Sequence, residues 1–172
     1  MKERIEQIVD VLIGLPLWNA GRSADLEWFD FGSKLTEVPT QNGGTTVVGE
    51  FVLDTECAWH IGGPNGIVVA SRDRFYPAGD DPYKDLNGFE WDKQGANRCD
   101  ERMNRLLEER RDSPLIVESI EANNWGGIRL ILSEGYILEI FPDDSLDSEY
   151  WRFFEPSSRN KHVVVTAHGI EV

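Results

Sequence analysis

Phe51-Val52-Leu53-Asp54-Thr55-Glu56-Cys57-Ala58-Trp59-His60-Ile61 alternates apolar and polar side chains along one run of sequence. Successive side chains on a strand point to opposite faces. Phe51, Leu53, Cys57, Trp59 and Ile61 therefore share a core face, while Glu50, Asp54, Glu56 and His60 share the other. The run reads as one long strand beginning near Thr46. Gly62-Gly63-Pro64-Asn65-Gly66 follows as a turn and Ile67-Val68-Val69-Ala70 as the next strand, which predicts an antiparallel hairpin.

Working outward, the aromatic-rich stretch 26–31 favours an extended strand, with Gly32, Pro39 and Asn42-Gly43-Gly44 marking turns after it. Four further β-type runs cover 115–121, 128–133, 136–141 and 162–167. Asn123-Asn124-Trp125-Gly126-Gly127 and Glu134-Gly135 turn the chain between the first three. Two segments have helical spacing instead. Ile5, Ile8, Val9, Leu12 and Ile13 form one apolar stripe, predicting a helix over 2–13 that stops at Gly14 and Pro16. Cys99, Met103, Leu106 and Leu107 do the same over 97–111, before Pro114. Residues 76–95, rich in Pro, Gly and acids, read as a long irregular surface connection, a type of loop that often carries function. No internal repeat or linker divides the chain. The expected fold is one α+β domain over 1–172, a mainly antiparallel sheet of about six or seven strands with two principal helices. A meander with a returning last strand is the simplest topology.

The 172 residues carry 31 acids against 17 Lys and Arg, a formal charge of −14. That balance excludes a generic cationic surface for nucleic acid or anionic membrane. Apolar runs fall far short of the roughly 20 residues needed to span a bilayer. The N-terminus has no apolar signal core, so a cytoplasmic address is expected. Cys57 and Cys99 have no metal or redox spacing and read as free thiols.

Several constellations invite chemistry. Cys57 and His60 suggest an activated thiol, but residues three apart on an unbroken strand face opposite ways. Glu50, Asp54, Glu56 and His60 share a face, and His162 and His168 share parity on the last strand. Without a His-x-x-x-His or Cys-x-x-Cys pair, this reads as a solvated polar face, and no metal or other cofactor is expected. Asp54 and Glu56 could be cast as the two carboxyls of a glycoside-cleaving pair, an arrangement common in so acidic a chain. Asp80, Asp81, Asp85, Asn87 and Gly88 are out of register for a calcium loop. No phosphate-binding glycine motif precedes a helix. Asp143, Asp144, Asp147 and Glu149 flank the aromatic cluster Tyr150-Trp151-Arg152-Phe153-Phe154. This pattern suits either a covered sheet end or an acidic rim around an interface anchor.

Cys57-Ala58-Trp59-His60-Ile61, Leu138-Glu139-Ile140-Phe141-Pro142 and Glu149-Tyr150-Trp151-Arg152-Phe153, with a last strand from His162, resemble a family of small uncharacterised bacterial proteins. Some proteins of this kind occur near toxin systems. The resemblance implies an immunity-like role and no catalytic residue. The charge supports the same expectation: a protein-binding module of immunity or inhibitor type that steers a basic, toxin-like partner and occludes it. The acids at 143, 144, 147 and 149, or Glu50, Asp54 and Glu56, would steer; Tyr150 or Trp151 would anchor, beside Arg152. The alternatives are a small-ligand-binding protein or hydrolase using Asp54, Glu56 and His60, and a homodimer that buries an apolar patch.

Overall fold

Glu56 and Cys57 break the long alternating run into two strands. This is seen in a computed structural model that describes residues 1–39, 44–81, 83, 86–158 and 162–172, with the backbone alone at 35–39. The chain runs α1 (Lys2–Val9), β1 (Pro16–Ser23), β2 (Leu26–Pro39), β3 (Thr45–Thr55), β4 (Ala58–Gly63), β5 (Gly66–Ala70), α2 (Arg98–Glu109), β6 (Leu115–Ala122), β7 (Ile128–Leu132), β8 (Tyr136–Phe141), β9 (Glu149–Phe154), β10 (Val163–Thr166) and β11 (Gly169–Glu171). Short 3-10 turns follow α1, β5 and β7. Asn42, Gly43 and Asp85, read above as parts of a turn and of a failed calcium loop, lie outside the described residues.

Among the described residues, the expectation of six or seven strands is corrected to eleven strands in one sheet, with two short helices, of 8 and 12 residues. β1, β9 and β11 are added, and the 46–61 run divides. The division has a local cause. The backbone amides of Glu56 and Cys57 both donate to Tyr150 O (3.0 and 3.3 Å), and the Thr55 hydroxyl reaches the same carbonyl at 3.3 Å. Three donors on one acceptor mark a corner where the chain leaves β9 and goes on to pair with β8. β1 escapes a propensity reading because Pro16, Asn19 and Gly21 are turn-type residues. Pro16 is tolerated as the first residue of a strand. At Gly21 the Trp28 indole lies across the strand, and a Cβ there would sit 2.5 Å from the ring. The helix expected over 2–13 ends at Val9 and tightens into a 3-10 turn to Leu12, with Gly14 left-handed at φ +85°.

All strand pairs are antiparallel, in the order β11-β10-β9-β3-β2-β1-β6-β7-β8-β4-β5. β6, β7 and β8 form the expected meander, and β4 and β5 the expected hairpin. β3 and β4 are joined by two residues yet separated in the sheet by β2, β1, β6, β7 and β8. The sheet must therefore coil back on itself, as twisted sheets of many strands do. Phe29 on β2 meets Trp59 on β4 edge to face at 5.2 Å across the enclosed core. Phe31 and Leu53 from one half and Ile61, Leu130, Leu138 and Ile140 from the other fill it.

The helices pack at the margins, α1 against β6, and α2 against β1, β5 and the 3-10 turn Ser71–Phe75. Asn97 caps α2 by accepting from Asp100 N at 2.8 Å. The connection before α2 is wrapped around a buried guanidinium. Arg22 donates to Asp100 from Nε (2.6 Å) and Nη2 (2.9 Å), and Nη2 also faces the carbonyls of Trp91, Asp92 and Lys93. Among the described residues no helix is long and apolar enough to cross a membrane.

Candidate functional site

The outward face of the β1-β2-β3-β9 quarter carries two cross-strand rows. Their register is Asn19, Asp30, Val52, Phe154 and, beside it, Gly21, Trp28, Asp54, Arg152. Strand alternation produces this face directly. Phe29, Phe31 and Leu53 turn inward to the core, so Trp28, Asp30 and Asp54 must turn outward. Between them lies an open groove of about 340 Å³, lined mainly by Leu26, Trp28, Val47, Val48, Val52 and Phe154 with the carboxyls of Asp30 and Asp54.

The two acids differ in what they touch. Asp30 is 2% exposed, and each of its oxygens is occupied: Asn19 Nδ2 donates to Oδ2 and Gly49 N to Oδ1, both at 2.7 Å. Burial raises its pKa, while those two donors pull it back. Asp54 has neither a hydrogen bond nor an ion pair to its carboxyl among the described residues. Burial pushes it up to about 7; Arg152 opposes this, and Glu149, Asp30 and Glu56 add to it. Arg152 stands opposite Asp54 in the register but turns to β9's own acid. Its Nε meets Glu149 Oε1 at 2.6 Å, and its Nη1 lies 3.2 Å from His162 Nδ1. The His162 ring stacks on Phe154 at 4.2 Å.

The structure thus brings Asp54, Glu56, Glu149 and Arg152 together, because β9 lies beside β3. Glu56 is exposed at the corner, its pKa raised by partial burial and then by Glu149 and Asp25. Glu50 shares the face and accepts from Ser33 N at 3.2 Å. His60 belongs elsewhere: it sits on β4 with Nε2 3.5 Å from Glu139, beside Phe141. His60 therefore shares neither neighbours nor a pocket with Asp54 and Glu56. Asp143 accepts from Ala58 N (3.1 Å), Asp144 from Leu146 N (2.8 Å), and Asp147 meets His168 at 3.1 Å. These three acids are exposed and hold the loop before β9.

Tyr150 and Trp151 are core side chains, 6% and 1% exposed, with Trp151 Nε1 donating to Gly126 O at 2.6 Å. The anchoring role expected of them has no surface to act from. The Cys57 thiol is pushed up to about 11, chiefly by burial, the opposite of an activated nucleophile. Among the described residues no three His, Cys, Asp or Glu side chains gather to hold a metal ion.

Trp28 and Asp30 are the residues that sequence reasoning missed. Their signal was present in the 26–31 strand, where they share the parity opposite Phe29 and Phe31. What was missing was the partner strand that makes a groove of that face. No family model, no curated protein and no solved structure matches this chain.

Proposed function

We propose that the protein is a binding module that engages a basic protein partner through the outward face of β2, β3 and β9, acting by occlusion and not by a reaction. One observation carries this reading: a largely apolar groove whose lining includes a carboxyl, Asp54, without a hydrogen bond or ion pair among the described residues, in a chain whose formal charge is −14. The net field draws a cationic partner in, and the groove supplies the short-range contact. Exposed Asp143, Asp144 and Asp147 add to the field. The immunity-like resemblance points to the same class of partner, a toxin-like basic protein. Self-association is disfavoured by the same charge, since two such copies repel.

The test is capture from the native cell with this chain as bait, at low and at physiological salt. The expected result is a basic protein whose retention falls as salt rises. Val47 is 45% exposed on the groove wall, so Val47→Lys places a like charge there without touching the core, and retention is lost. Finding no partner at either salt, or equal retention by Val47→Lys, overturns the reading.

A further inference from the structure

We infer that the groove is a seat for one protruding organic cation, the ammonium or guanidinium that ends a lysine or arginine side chain of the partner, with its head at Asp54 and its stem along Trp28, Val52 and Phe154. The inference rests on the protein-binding reading and assigns its contact chemistry.

Asp30 is not the receiving group, because it is 2% exposed and each of its oxygens already accepts a hydrogen bond from a neighbouring strand. Arg152 is the cation nearest Asp54 in register, yet its guanidinium is held by Glu149 and His162. Among the described residues, the charged groups facing Asp54 are then Arg152 and Glu149 from β9, Asp30 from β2, and Glu56 from the corner. Three of these four are acids, so the site favours an added positive charge.

A neutral apolar ligand would cover the Asp54 carboxyl without supplying a partner, which is costly for a desolvated polar group. A hard divalent ion needs several free oxygen ligands; beside Asp54 the lining offers Thr46, Asp30, which already accepts from Asn19 and Gly49, and Asn19 itself, and the rest is apolar. An alkyl-borne cation answers both halves of the site. Its stem lies on apolar side chains and its head meets carboxylate. Trp28 pairs with Asp54 in register and lines the same groove, with its ring leaning over Gly21 on β1; an indole in such a lining attracts a cation.

The experiment titrates the whole chain with n-butylammonium and n-butylguanidinium, with 1-butanol as the uncharged control, read by amide and indole NMR shifts at pH 8 and pH 5.5. Both cations are expected to saturate, shifting the Trp28 indole and amides of β3 and β9. Binding weakens about tenfold or more at the lower pH as Asp54 takes up its proton. Asp54→Asn abolishes the response at both pH values while leaving the spectrum folded. Glu149→Gln, which frees Arg152 to turn to Asp54, weakens it as well. Absence of saturation by either cation, equal response to 1-butanol, or unchanged binding in Asp54→Asn overturns the assignment. If the cations bind and no basic protein is captured, the seat stands and the protein-binding reading fails. If a partner is captured equally by the wild type and Asp54→Asn, the seat fails and the reading stands.

Discussion

Among the described residues, Glu27 is a carboxyl whose surroundings are little like water: it is 2% exposed, and its Oε2 has no hydrogen-bond partner. Burial pushes its pKa from 4.5 to about 8, with Arg74 and Arg22 pulling it down and Asp100 pushing it up. The native state therefore keeps this proton through a window in which the unfolded chain has lost it. Stability falls as pH rises from 4.5 to about 8, because the native state then binds more protons than the unfolded one. Each unit of such a shift is worth about 1.4 kcal/mol, so the cost at the top of the window is of the order of a few kcal/mol. Glu27→Gln is expected to match the wild type near pH 5 and to exceed it in urea unfolding at pH 8. Taking the difference between the two proteins cancels the pH response of Asp54, which has the same sign. A wild type that gained on the variant between those pH values would show an ionised Glu27 paired with Arg74. Glu27 was not singled out in the sequence; it shares parity with Phe29 and Phe31, but nothing local says that this face is sealed.

At the scale of elements, the connection before α2 depends on one buried pair. Arg22 and Asp100 are 4% and 9% exposed, and the same guanidinium faces three loop carbonyls. Removing one member of a buried pair costs about 3–5 kcal/mol when the other charge is left uncompensated; without Asp100, Arg22 keeps the exposed Asp92 at 3.3 Å and the loop carbonyls, so that range is the upper end. Asp100→Ala is expected to lose stability up to that range and to expose the 76–97 connection to limited proteolysis. Cleavage no faster than in the wild type would show that the loop is held by other contacts. The opposite half of the sheet uses charge differently. Glu121, Arg129, Glu139 and His60 form a cross-strand ladder on β6, β7, β8 and β4, with Arg129 reaching Glu139 at 3.0 Å. These side chains are partly solvated and contribute little each. That ladder is where His60 went, and it explains why the polar parity read from one strand did not become one site.

For the whole molecule, a formal charge of −14 on 172 residues means mutual repulsion in the folded state. Screening lengths shorten to about 8 Å at physiological ionic strength. Melting temperature is therefore expected to rise by a few degrees between about 10 and 150 mM NaCl, followed by circular dichroism. A fall would show that solvent-exposed ion pairs outweigh the repulsion. The same field is what the proposed partner would feel at a distance.

The antiparallel character, the β4–β5 hairpin, the β6-β7-β8 meander, the positions of both helices and the acidic surface can be read along the chain, since these follow from side-chain period, turn residues and charge. Long-range packing decided that the long run bends at Glu56-Cys57 and that β9 lies beside β3. It likewise decided that Trp28, Asp30 and Asp54 border one groove while His60 does not. The reason is that pairing between distant strands is chosen by packing around a shared core, and no residue carries that choice in its neighbours along the chain.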